Sequence, residues 1–217
     1  LGNMTDLQLK HDALGTIRLV DAGDTLLIER DTRTARRGLG WLARHLAARE
    51  AAVLRVLHGT AGIPQLQAFD GRVLRRSHLP GAPLFAATRP SPVYFSRALR
   101  LLRTLHRAGI AHNDLAKEAN WLCGPGDVPG IVDFQVATLA RRRGHWFRYL
   151  AYEDLRHLLK HKRTYQAERL TARQRAMLAT PTFATRAWRA LWKPAYRVLT
   201  RRMLGWPERT GPVERQR

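Results

Sequence analysis

At 217 residues, 45% hydrophobic and 25% charged, the chain can bury one substantial core, whole or split into two lobes, and its balance excludes a disordered chain. No run approaches the roughly 18 consecutive apolar residues of a membrane span, and the single cysteine, Cys123, excludes an internal disulfide framework or a Cys-based zinc cluster. Lys and Arg number 38 against 17 Asp and Glu, and residues 141–217 hold 20 of the former against 5 of the latter, so +15 of the net +21 lies in the C-terminal third and favours polyanions.

The opening LGNMTDLQLK lacks the basic-then-apolar pattern of a secretory signal, which sets the cytoplasm as the expected location. Gly15 to Val20 and Thr25 to Arg30 are short β-type runs around Asp-Ala-Gly-Asp, and together they predict a hairpin. A helical pattern follows, with Leu42, Leu46, Ala47, Val53, Leu54 and Leu57 on one face, and it stops near Gly59. Leu66 to Phe69 and Arg72 to Arg76 flank Asp70-Gly71 as a second hairpin. The first 80 residues thus read as strand-strand-helix-strand-strand.

After Leu79-Pro-Gly-Ala-Pro the character changes, which makes residues 78–83 a candidate hinge. Tyr94 to Ala108 is an amphipathic helix with Ala98, Leu101, Leu102 and Leu105 inward and Arg97, Arg100, Arg103 and Arg107 mostly outward. Two short strands are expected around Trp121 and Val132, then helices to the end, one of them starting near Tyr152. On that helix His157 and His161 stand four apart, but no third metal ligand is evident and a basic face is the simpler reading.

Between the two short strands lies a concentration of polar groups. Asp114 and Asn120 share one loop, and Asp133 follows Gly130-Ile-Val, which a turn at Gly124-Pro-Gly-Asp folds back beside the start of the hairpin. Asn120 and Asp133 can therefore face one site. A carboxylate with an amide oxygen suits Mg²⁺, which keeps waters and shares phosphate oxygens. Asp114 is left to accept a proton from an attacking hydroxyl, and this is the disposition phosphoryl transfer needs.

His112-Asn113-Asp114-Leu115 with Asn120, and Ile131-Val132-Asp133-Phe134-Gln135, resemble the catalytic loop and metal-binding segment of the protein-kinase-like superfamily. The lead-in Leu105-His106-Arg107-Ala108-Gly109-Ile110-Ala111-His112 strengthens the likeness, and the nearest relatives by pattern are small bacterial lipopolysaccharide core kinases and RIO-like kinases. The resemblance implies an α+β, bilobal fold: residues 1–79 as a small sheet with one helix, 80–170 as a mainly helical lobe, and 171–217 as a basic, aromatic helical extension. It implies ATP and Mg²⁺ as cofactors, with Asp114 as catalytic base, Lys117 steadying the transferred phosphate, and Asn120 and Asp133 as metal ligands. Glu50 is implied as the helix glutamate that pairs with a strand cation. Leu74 to Leu79, with Ser77 and Leu79 at its end, would be the hinge that meets adenine through its backbone.

Several departures qualify that frame. Asn120 stands six positions after Asp114 where relatives have five, Gln135 replaces a glycine, and Gly-x-Gly-x-x-Gly is absent, Gly15 being the only glycine near the first strand. The strand lysine is missing: Thr25 to Arg30 offers Glu29 or Arg30 to the cleft, and neighbouring strand residues face opposite ways. Arg30 would pair with Glu50 and touch the α and β phosphates, whereas Glu29 would repel ATP and make a pseudokinase scaffold. With no long activation segment, the expected acceptor is a small molecule or a phosphorylated or lipid-linked sugar of the lipopolysaccharide core. Trp188, Trp192, Tyr196 and Trp206 interleave with Arg189, Lys193, Arg197, Arg201 and Arg202, which suits an anionic membrane surface as well as a packed helix with a solvated basic side. Nucleic acid is not the expected partner, because no recognition motif accompanies the basic residues.

Overall fold

The computed structural model describes residues 7–23, 25–87 and 90–180. The chain divides into two units, Leu1–Leu158 and Leu159–Arg217. The expected interfacial segment at 186–206 lies outside the described residues.

In the first unit a five-stranded antiparallel sheet has the order β1-β2-β3-β5-β4, formed by β1 (Leu7–Asp12), β2 (Gly15–Asp21), β3 (Leu26–Asp31), β4 (Leu66–Phe69) and β5 (Val73–Ser77). Both expected hairpins are present. β1 was not expected: Leu7 and Leu9 are 58% and 50% exposed, so no buried alternation marks this edge strand, and backbone pairing to β2 holds it. Between β3 and β4 runs α1 (Gly40–Val56). Its buried face is Ala43, Ala47, Glu50, Ala51, Val53 and Leu54, while Leu42 and Leu46 are only half-buried. Small alanines on that face allow the helix to lie close to the sheet, and Glu50 is carried inward with them.

The sequence continues through β6 (Ala82–Pro83) to α2 (Pro92–Arg107). Ser91 caps α2 by accepting from Val93 N, and Pro92 occupies the first turn, where its missing N–H costs nothing. Ala98, Leu101, Leu102 and Leu105 face the core as the pattern predicts, and Tyr94 and Phe95 join them. β7 (Ile110–Ala111) then pairs with β10 (Thr138–Leu139), and β6, β8 (Trp121–Gly124) and β9 (Val128–Ile131) form a three-stranded sheet. Trp121, Leu115, Ile131 and Phe134 are wholly buried here. The next helix, α3 (His145–Gln166), begins seven residues before the expected Tyr152, because Phe147 already belongs to the core, buried and edge-on to His106.

The second unit takes up α3 at Leu159 and contains α4 (Ala172–Ala179). Thr171 and Gln174 form a capping box at the start of α4, and Lys162 donates to Gln174 Oε1 at 3.0 Å. No helix among the described residues is long and apolar enough to cross a membrane.

Candidate active site

Two hairpin-like pairings set the geometry. β7 and β10 bracket residues 112–137, aligning Ala111 with Thr138 and Ile110 with Leu139. β8 and β9 align Trp121 with Ile131, and Val132 N donates to Asn120 O at 3.1 Å. Asn120 and Asp133 thus leave adjacent strand ends, as the returning hairpin requires.

Asp114 is held by its own loop. Lys117 Nζ lies 2.7 Å from Asp114 Oδ2, and Asn120 Nδ2 donates to Asp114 O and Oδ2 at 3.0 and 3.1 Å. The sixth residue of the Asp114–Asn120 spacing is taken up in a 3-10 turn at Glu118–Asn120, where Asn120 N reaches Lys117 O at 3.2 Å. Asn120 Nδ2 spends its donors on Asp114, so the amide oxygen has no protein partner among the described residues.

Asp133 adopts φ +69°, a left-handed conformation uncommon for a residue with a side chain. Burial pushes its carboxyl pKa up, but the Arg30 guanidinium, a hydrogen bond from Gln135, and the charges of His112 and Lys117 outweigh that and hold it below the usual carboxylate range. Gln135 Nε2 donates to Asp133 Oδ1 at 2.5 Å, so the residue that replaces the glycine fastens the carboxylate beside it. Asn113, at φ +67°, donates from Nδ2 to Val136 O and Thr138 Oγ1, and Arg49 of α1 donates to Ala137 O at 2.6 Å. The segment after Asp133 is therefore tied both to the loop of Asp114 and to α1.

Above the loop, sheet register decides which strand residues meet α1. Ile28 stands opposite Arg76 and Arg30 opposite Leu74, so Arg30 and Arg76 are diagonal neighbours on one face. Glu29 stands opposite Arg75 on the other face and accepts from Arg75 Nε at 2.8 Å. Of the two residues the strand offered, Arg30 is the one that reaches Glu50: Nε to Oε2 is 3.8 Å. Arg76 Nε is nearer, 3.2 Å from Oε1. Neither Glu50 oxygen accepts an aligned hydrogen bond, so these are charge contacts only.

Ser77 and Leu79 differ at the chain crossing. Gln65 engages Ser77 twice, accepting from Ser77 N and donating to Ser77 Oγ, both at 2.8 Å. The backbone groups of Leu79 take no hydrogen-bond partner among the described residues. At Gly15, with φ +124°, an added Cβ would lie 2.2 Å from Asp31 O, so the residue must be bare for the start of β2 to meet the end of β3.

Two residues that sequence spacing did not single out complete the site. Asp154 of α3, 1% exposed, accepts from His112 N at 2.7 Å and Asn113 N at 3.0 Å. Its only signal was the acidic pair Glu153-Asp154 inside a mainly basic helix. Arg76 sat unremarked in Arg72 to Arg76, where register alone reveals its face.

With these elements placed, the solved structures can be compared. The Rio2 kinase ADP/Mg²⁺-phosphoaspartate complex from Chaetomium thermophilum superposes with a TM-score of 0.58 at 17% identity, over 91% of this chain and 68% of that one. This chain has a protein-kinase-like fold. A second Rio2 kinase structure from the same organism gives a TM-score of 0.57 at 16% identity, over 91% and 70%. No family model and no curated protein matches the chain. In the protein-kinase-like frame, the five-stranded antiparallel sheet with α1 corresponds to the small lobe.

Proposed function

We propose that the chain is an ATP- and Mg²⁺-dependent phosphotransferase that acts on a hydroxyl. The observation behind this reading is the cluster Asp114, Lys117 and Asn120, set beside Asp133 by the Asn120–Val132 hydrogen bond. Among the described residues no three His, Cys, Asp or Glu side chains converge on a metal position. The donors carried at the adjacent strand ends, an ionised Asp133 and the unused Asn120 amide oxygen, suit a hard cation completed by phosphate and water. Bound there, Mg²⁺ supplies charge neutralisation of the nucleotide phosphates.

The chain's own groups do the rest. Asp114 orients the acceptor hydroxyl and takes its proton, while Lys117, already within 2.7 Å of that carboxylate, turns to the transferred phosphoryl oxygens. Arg30, backed by Glu50, meets the nucleotide phosphates. The unpartnered Leu79 backbone is suited to the purine edge, and Ser77 serves by fixing that crossing to Gln65 rather than by touching the base.

The acceptor we favour is a sugar of the lipopolysaccharide core or a related phosphorylated envelope molecule, met at the cytoplasmic face of the membrane. Support comes from the surface next to the Asp133 segment, where Arg141, Arg142 and Arg143 are exposed and Trp146, 68% exposed, stacks on Tyr149. A second reading, a non-catalytic scaffold, is favoured by one feature: Arg30 stands where a lysine is usual and makes no aligned hydrogen bond to Glu50.

The test is Mg²⁺-dependent ATP turnover by the purified chain with lipid-A-core extract or RNA offered as acceptor, beside Asp114→Ala and Asp133→Asn. Metal-dependent transfer to the extract, lost in both variants, is the expected result. Nucleotide binding without turnover on any acceptor would favour the scaffold.

A further inference from the structure

Arg30 and Arg76 pose an accounting problem. Their side chains are 9% and 11% exposed, yet neither guanidinium makes a hydrogen bond to any described residue. Each carries five N–H donors. None of these nitrogens is among the fully buried, unpartnered side-chain atoms of the described residues, so the forks keep access to solvent, where an anion can reach them. Among the described residues, the anions these two meet are Glu50, shared between them at 3.8 and 3.2 Å, and Asp133, which feels the charge of both. Two cations and two carboxylates balance only while Asp133 is unengaged.

Once Asp133 serves a metal, the pair is left with one carboxylate for two positive charges. Arg76 holds the closer contact to Glu50 and lies one diagonal step along the sheet from Arg30. We propose that Arg76, together with Arg30, forms a two-guanidinium cradle for the α- and β-phosphates of a nucleoside di- or triphosphate, both forks turning from their loose charge contacts with Glu50 to donate to phosphate oxygens. This rests on the nucleotide-binding reading above and adds a second phosphate contact to it. Planar guanidinium forks match phosphate oxygens in a way a single ammonium does not, so two arginines replace the missing lysine by number and shape.

The experiment is equilibrium binding of ADP and of adenosine, each with excess MgCl₂, to the full chain and its variants, with circular dichroism as the check on folding. Wild type should prefer ADP strongly. Arg76→Met should weaken ADP roughly tenfold or more, the scale of a lost charged hydrogen bond, while adenosine moves less than about twofold. Glu50→Gln removes the competing carboxylate and should tighten ADP. If Arg76 merely held Glu50 in place, both substitutions would weaken ADP alike, and that outcome overturns the cradle. So does an Arg76→Met protein whose ADP and adenosine affinities fall together or not at all. Should Arg76→Met fail to fold, Arg76→Lys decides: an ADP preference reduced but retained supports the cradle, and an unchanged one overturns it. A wild type that binds neither ligand overturns the nucleotide reading itself and this inference with it, whereas a binding wild type with an indifferent Arg76→Met leaves that reading standing.

Discussion

Asp154 accepts the backbone N–H of His112 at 2.7 Å across 42 residues of sequence, fixing the start of the Asp114 loop from a helix that follows it. The same carboxylate takes Asn113 N at 3.0 Å, where the chain turns through φ +67°, and His106 Nε2 stands 3.3 Å away. A buried carboxylate accepting from two amides is a strong clamp, and removing it leaves those donors without a partner.

Asp154→Ala should therefore cost about 3 kcal/mol of stability, and in protein that remains folded it should lower kcat with little change in ADP affinity. Asp154→Asn keeps one acceptor oxygen and should lose less of both. Urea unfolding and single-turnover transfer would check this. Equal losses of kcat and nucleotide affinity would show that Asp154 supports the whole fold rather than the loop.

The site was legible wherever its logic is local. Asp114, Asn120 and Asp133 lie within one loop and one short hairpin, so spacing alone placed them together. Asp154 was not legible, because nothing in Asp154-Leu-Arg-His marks which side of a basic helix faces the loop. Arg76 was hidden for a related reason: strand alternation leaves two faces open, and only the pairing of Ile28 with Arg76 chooses between them. β1 escaped notice because its leucines remain exposed and its stabilisation comes from backbone bonds that any sequence can make. The start of α3 was misplaced because Arg141-Arg142-Arg143-Gly144 read as loop and obscured the buried Phe147 just beyond.

Gly15 offers a sharp test of the tight junction between β2 and β3. Its φ is +124°, and a Cβ there would sit 2.2 Å from Asp31 O and 3.2 Å from Thr32 Cα, both backbone atoms that cannot swing aside. Gly15→Ala should destabilise the protein by about 3 kcal/mol or more. Chemical denaturation would read this directly, and a loss below about 0.5 kcal/mol, the range of an ordinary surface change, would contradict the register.

Asp31 gives a pH dependence with a definite sign. Arg33 grips its carboxylate from Nε and Nη2 at 2.9 and 2.8 Å. That side-chain hydrogen bond holds the pKa below its ordinary value against the upward push of burial, with help from the Arg33 backbone N–H and from the charges of Arg33 and Arg18. A folded pKa below the unfolded one stabilises above the unfolded value, and the benefit disappears as pH falls through the folded value. The Tm difference between wild type and Asp31→Asn should be full at neutral pH and begin to close below about pH 4. Since Arg33 is largely exposed, added salt should narrow it as well. A difference that stays constant into strong acid would mean that the charge of Asp31 contributes nothing.

Cys123 provides the last prediction, and it concerns reactivity. The thiol lies on β8 with Sγ 3.5 Å from Asp127 Oδ1, and its pKa is pushed up to about 11 by burial first and then by the hydrogen bond to Asp127 and its negative charge. Since the thiolate is the reactive species, iodoacetamide at pH 8 should label native protein roughly a hundredfold more slowly than an ordinary thiol of pKa about 8.5. Asp127→Asn should restore part of that reactivity without disturbing the turn, because Asp127 sits at φ +57° and asparagine tolerates the left-handed region. Labelling followed by mass spectrometry would measure both rates. Equal slowness in the two proteins would leave burial as the whole cause, and fast labelling of native wild type would refute the raised pKa.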